Sequence, residues 1–302
     1  MKIWERIGFI LILMIEIIIT ISTFSSMVML FKYFEKINVN NLQAISANYF
    51  TAGILSIFFL PNTFEFDKII YSNTTLFFVL AFIVGLLFVL TFNLYAHGAQ
   101  KLGVTPSTIA NKMSMIIPII IGIILLNEEV TFHKVLGISF AFGAIFLSSL
   151  GRGKYSLNKN HLIIIVLLFT GQGLADGILN WAQKFILNSS NMNLFFAVTF
   201  LSAGFAGAIF VFFKLKSQKI KIEQKSIIWG VALGIPNYLT LLYFIKSLKI
   251  ELFSSSEIFP IINIGVIIFC AFLSIILFKE KISIYNWLGV VMGIFSIFII
   301  LS

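Results

Sequence analysis

Ile123–Phe140 reads IILLNEEVTFHKVLGISF, and Ile275–Met292, 152 positions later (275 − 123), reads IILFKEKISIYNWLGVVM. Six of these eighteen positions are identical, and Val130/Ile282, Thr131/Ser283 and His133/Tyr285 are close replacements. Apolar segments resemble one another by chance, so the polar punctuation is the diagnostic part. Glu128 precedes Gly137 by nine residues, and Glu280 precedes Gly289 by the same nine. The same offset pairs Asn111 with Asn263 and Lys32 with Lys184. A repeat of about half the 302-residue length is a duplication. It divides the chain into 1–151 and 152–302.

Composition names the solvent. The chain is 59% hydrophobic and 11% charged, with mean hydropathy +1.04. A water-soluble domain carries about a quarter charged residues. Composition therefore argues against a soluble enzyme, a nucleic-acid binder and a disordered chain, and leaves an integral membrane protein. Lipid offers no hydrogen bonds to a backbone, so only α-helices or closed β-barrels can span it. Barrel strands alternate apolar and polar residues, whereas runs such as Ile163–Phe169 and Ile261–Phe269 are long and apolar. Helices follow.

About 20 apolar residues cross a hydrocarbon core of about 30 Å. Such runs occur at approximately 7–31, 42–60, 75–97, 104–126, 134–150, 162–186, 193–213, 226–246, 252–278 and 284–301, ten in all. The links between them are too short to fold a water-soluble domain. Lys2 and Arg6 ahead of an apolar stretch resemble a signal peptide, but that stretch carries Glu16 and no small-residue cleavage pattern, so it reads as an uncleaved first helix. The net charge of +9 sits in short loops and suits anionic headgroups. The single cysteine, Cys270, permits no intrachain disulfide.

Five spans per copy is an odd number, so two tandem copies must enter the membrane from opposite sides. The expected fold is all-α and integral to the membrane: ten transmembrane helices as two inverted five-helix repeats around a central cavity. Secondary transporters are built this way, with the binding site near the midplane between the halves.

Ten helices in two repeats, each closing with leucine- and isoleucine-rich residues, then Glu-x-(Val/Ile)-(Thr/Ser) and the spaced Gly, resemble the drug/metabolite transporter superfamily, EamA-like branch. The resemblance covers essentially the whole chain. It implies a multi-pass carrier of the inner (plasma) membrane, often an exporter, for small metabolites such as amino acids or amphipathic compounds. It also implies that the first four helices of each half line the cavity while the fifth packs outside. One departure is visible: Pro118 lies ten residues before Glu128, whereas Pro260 lies twenty before Glu280. The resemblance puts both termini in the cytoplasm, as do Lys2 and Arg6. Most loop Lys and Arg fall on the opposite side, which by the positive-inside rule turns the termini outward. The two lines conflict.

An ionisable residue deep in a span is costly and is a functional candidate by default. Asp176 lies about 21 Å into its helix and forms a polar stripe with Gln172, Asn180 and Gln183. That stripe either faces a wet cavity, where Asp176 couples protons, or glues helices together. Glu16, in a stripe with Thr20 and Thr23, is either a second proton-coupling acid or a permanently neutral structural one. Lys112 either holds a substrate carboxylate or pairs with Asp176 or Glu16. Asn111 and Asn263, at equivalent repeat positions, suit polar groups flanking a substrate; Asn93 and Asn237 extend the polar lining. Pro118 and Pro260 free the carbonyls of Ser114 and Ser256, as hinges or plain kinks. Gly171 and Gly173 favour close packing or a loosened, gating helix. Glu128 and Glu280 with Thr131 and Ser283 read as helix-entry signals.

The leading expectation is thus a secondary transporter of a small organic metabolite, an exporter by the resemblance, working by alternating access and proton-coupled through Asp176 or Glu16. Its partners are the solute, the bilayer and protons; no nucleic acid, cofactor or metal is expected, and the protein is a monomer or a homodimer. A passive channel or receptor is the second reading. A membrane-embedded enzyme is the third, weakened because His97, His133 and His161 sit in three different segments and no metal-ligand spacing occurs.

Overall fold

The computed structural model describes residues 3–61, 74–101, 104–125, 127–149, 159–217, 221–249, 253–279 and 284–301. Among them every regular element is an α-helix: α1 (Ile3–Lys36), α2 (Asn41–Phe58), α3 (Thr74–Lys101), α4 (Val104–Met113), α5 (Ile116–Leu125), α6 (Phe132–Ser149), α7 (Lys159–Phe185), α8 (Met192–Lys216), α9 (Gln224–Ser247), α10 (Ser255–Phe278) and α11 (Ile284–Leu301). Five stretches, Ile15–Lys36, Thr74–Gln100, Met192–Lys216, Gln224–Ser247 and Ser255–Phe278, are long and apolar enough to cross a membrane; Asn111–Leu125, Phe132–Ala144 and Trp287–Ser296 are shorter apolar helices. The outside of the bundle is as apolar as its inside. Phe58, Phe132 and Phe298 are each more than 70% exposed, which suits a lipid solvent.

The expected fourth span is split. Ser114 N bonds Asn111 O at 3.3 Å and Met115 N bonds Lys112 O at 3.3 Å, a tightened turn that ends α4. Pro118 is the third residue of α5, where its missing N–H costs nothing. The Ser114 carbonyl that Pro118 cannot reach accepts instead from Ile117 N at 3.0 Å. It is therefore not left free, as the proline alone would suggest. Pro260, by contrast, lies inside α10, which runs through it.

Helix ends carry recognisable signals. Thr131 Oγ1 accepts from Lys134 N at 3.2 Å and caps α6 as expected. Ser254 and Glu257 form a capping box at the start of α10, with Ser254 N donating to Glu257 Oε2 at 2.6 Å. Glu257 is thus a first-turn residue at a helix end. Asn127 (φ 53°) and Lys279 (φ 52°) adopt left-handed backbone at equivalent repeat positions, just ahead of the two motif glutamates.

Packing crosses the halves. α6 packs on α11, and α2 on α8. α2 with α9 matches α3 with α8, α1 with α9 matches α3 with α7, and α1 with α10 matches α7 with α4 and α5. Exchanging the halves maps this set of pairings onto itself. The buried aromatics Tyr49, Phe88, Phe92 and Phe200 stack where α2, α3 and α8 meet. Cys270, 1% exposed, lies in the core on α10.

Candidate functional site

Six helices, α1, α3, α4, α7, α9 and α10, line a central cavity. Its wall is mostly aromatic and aliphatic, with Phe24, Phe88, Phe92, Phe244 and Phe259 the large groups. Into it face Lys112 from the first half and Asp176 from the second, with Gln172, Asn237, Asn263, Thr20 and Thr240. An apolar chamber with few convergent polar groups is the usual form of a small-molecule site.

Lys112 is 6% exposed, and its Nζ lies 3.6 Å from the centroid of the Phe24 ring. The ring face supplies cation–π attraction, about 2 kcal/mol where water is excluded. No hydrogen bond to the ammonium occurs among the described residues, so its three donors stay available for a ligand. Asp176 is half-buried and accepts from Gln172 Nε2 at 2.8 Å. Lys112 and Asp176 act on each other electrostatically, yet the direct ion pairs among the described residues are Lys32–Glu35 and Lys134–Glu257. The two opposite charges of the cavity are coupled through space without closing on each other.

The remaining candidates fall around this centre. Asn111 does not line the cavity. It is 1% exposed, and its Nδ2 donates to Gln172 Oε1 at 3.3 Å, so it stands behind the Gln172–Asp176 pair while its Oδ1 is buried without a partner. Asn180 is likewise behind the wall, donating to Ser255 Oγ at 2.9 Å. Asn237 lines the cavity and donates to Asn48 Oδ1 at 3.0 Å. Asn93 lies apart: it lines a separate groove on the outer side of α3 and donates to Val89 O of its own helix at 2.7 Å. Glu16 is outside the cavity wall too, and the charge acting on it is that of Lys246. One turn on, Thr20 reaches the wall, and Thr23 bonds Thr240 at 2.8 Å across the α1–α9 contact.

α7 runs unbroken through Gly171 and Gly173. A side chain at Gly173 would meet Ser114 O at 2.9 Å and the Ile117 side chain, and one at Gly171 would meet Thr91 Cγ2 at 2.6 Å. Both glycines let α7 approach its neighbours closely, and Gly173 does so at the α4–α5 break.

The sequence profile of the EamA-like transporter family matches residues 6–150 and again 155–302. The chain belongs to the EamA-like transporter family. It is a multi-pass membrane protein of a transporter family. An uncharacterized protein of Haemophilus influenzae is 29% identical over 276 residues, covering 89% of this chain and 91% of that one. A crystal structure of a protein 11% identical in sequence superposes with a TM-score of 0.62 over 94% of each chain, a likeness of fold.

Two features of this EamA-like transporter escaped the sequence. Asn48, fully buried on α2, holds Asn237 in place. Glu128 does more than mark a helix entry. Its Oε1 accepts from Ser255 N at 3.1 Å and from Ser255 Oγ, and its Oε2 accepts from Ser256 N at 3.1 Å. The motif carboxylate of the first half thus caps the first turn of α10 in the second. Burial alone would push this carboxyl up; the Ser255 and Ser256 hydrogen bonds and the Lys134 charge outweigh it and hold it below its ordinary range. Nothing in the spacing around Glu128 points to a partner 127 residues away.

Proposed function

We propose that the protein is a secondary carrier of the plasma (inner) membrane that moves a small zwitterionic or amphipathic organic solute through the central cavity by alternating access. The observation that carries this reading is the pair of unlike charges, Lys112 and Asp176, facing one aromatic chamber from opposite halves without neutralising each other. Lys112 with its free donors holds an anionic group such as a carboxylate. Asp176 faces the cationic end of the solute or carries the coupling proton. Asn263 and Asn237 fix orientation, and the phenylalanines receive the apolar part. Asp176 is favoured over Glu16 as the coupling acid because it lines the cavity and Glu16 does not.

The domain plan is two five-helix repeats of inverted topology, 1–151 and 152–302, with ten spans of which α4 and α5 together form the fourth. Pairings that survive exchange of the halves support it. So do the matched left-handed residues Asn127 and Lys279. A bundle of two like halves can open to alternate sides by rocking one against the other around a fixed site.

Purified protein in sealed vesicles tests this. Uptake of a labelled apolar amino acid saturates, is accelerated by unlabelled solute on the far side, and responds to an imposed pH gradient. Asp176→Asn removes the pH-gradient response. Linear, non-saturating flux without counter-transport would overturn the carrier in favour of a channel, and an unchanged pH response in Asp176→Asn would remove that residue from coupling.

A further inference from the structure

A second space, an open groove, lies on the outer side of the α3–α7 contact, with α2 and α8 completing its walls. It shares no lining residue with the central cavity, although only one helix seam divides them. On α3, Phe88 and Phe92 face the cavity while Leu87 and Thr91 face the groove; on α7, Gln172 and Asp176 face the cavity while Gly171 and Leu174 face the groove.

Its dimensions match one leaflet. Lys214 is in the last turn of α8 and Leu42 in the first turn of α2, so both mark the same membrane end. On α3, which ends at Lys101, Leu94 is seven and Leu87 fourteen residues from that end. At 1.5 Å per residue the groove therefore descends from about 10 to about 20 Å below the end of α3, towards the middle of a core about 30 Å thick.

Its chemistry is divided in the same way. Within the groove most of the side-chain hydrogen-bonding protons are already used. Thr91 donates to Leu87 O at 2.9 Å, Thr170 to Val166 O at 2.9 Å and Asn93 Nδ2 to Val89 O at 2.7 Å. The interior thus offers mainly hydrocarbon contact, its two hydroxyl protons turned back onto their own helices and the second amide proton of Asn93 its one remaining side-chain donor. At the mouth stands Lys214, exposed and in no ion pair among the described residues, the one charged group in the lining. A single cation at the interface above an apolar slot one leaflet deep complements an anionic headgroup on an acyl chain.

We propose that this groove binds one anionic phospholipid, its phosphate at Lys214 and an acyl chain along α3 and α7. The proposal rests on the membrane placement of the helices and not on the carrier reading or the transported solute.

Native mass spectrometry of the purified full-length protein tests it, with phosphatidylglycerol and phosphatidylcholine of identical chains as probes. One phosphatidylglycerol is retained in preference to phosphatidylcholine. Lys214→Gln, a change at an exposed position, lowers that preference about fivefold, as expected for one lysine at an anionic surface. Leu90→Trp, at a lipid-facing position of the groove, fills the slot and lowers retention of both lipids. Asp176→Asn keeps the full preference, which separates this result from the fate of the carrier reading. Equal retention of the two lipids by the unaltered protein, a preference unchanged in Lys214→Gln, or full retention in Leu90→Trp would each overturn the proposal.

Discussion

The helical stretches that precede the shared Glu-to-Gly spacing in the two family-matched halves, α4–α5 and α10, differ in form and in content. In the first half the span breaks at Ser114–Met115 and resumes as α5; in the second, α10 continues through Pro260. Asn263 faces the cavity, whereas its repeat mate Asn111 is turned behind Gln172. Next to Asn111 stands Lys112; next to Asn263 stands Ile264. The main pairings between the halves are symmetric, and chemistry is asymmetric where the helices meet the cavity. Lys112 from the first half and Asp176 from the second give the chamber an electrical direction. That suits a solute with two unlike ends.

Breaking this asymmetry gives the largest effects. Lys112→Met removes the one cation of the cavity wall among the described residues, and solute affinity falls roughly tenfold to a hundredfold, the value of a hydrogen bond to a charged group. Adding Ile264→Lys to that variant does not restore it, because the repeat mate lacks the Phe24 face; vesicle uptake reads both. Glu128→Ala tests the bond between the halves instead. It strips the cap from α10 and costs about 2 kcal/mol, measured as earlier thermal unfolding in detergent. Because this carboxyl is held below its ordinary range, its contribution is complete above about pH 4.3. It is lost as pH falls through the depressed value, and Glu128→Ala should flatten that acid limb. Gly173→Ala presses a methyl onto Ser114 O and Ile117 at the break and costs about 1–3 kcal/mol; full stability there would mean that the two pieces of the fourth span move apart freely. Asn237→Ala is the mildest, about 1 kcal/mol, with a loss of solute selectivity larger than the loss of stability.

Most of the fold was legible in the sequence because lipid makes the rules strict. Long apolar runs must be helices, and the repeat of Glu128–Gly137 as Glu280–Gly289 survives in a background where little else is distinctive. The break after α4 was half legible. Pro118 announced a disturbance, but its backbone solution, Ile117 N on Ser114 O, depends on local geometry. The charges of the site were visible as misfits in apolar helices, and Lys112 and Asp176 do share one chamber. Which face of each helix turns inward was not visible for shorter polar groups. Asn93, one residue beyond Phe92, turns to the outer groove instead. Asn48 and the reach of Glu128 were invisible for a different reason: both act on partners in the other half, and a pattern read along one helix carries no information about a neighbour so distant in sequence.

Cys270 is the chain's one thiol and is almost wholly enclosed on α10. The molecule therefore presents a nearly silent background to maleimides and other sulfhydryl reagents. Single cysteines introduced at the two membrane ends of the bundle would report their own accessibility, and pairs of them would carry spectroscopic labels for measuring distances between the halves, without first deleting a native residue from the core.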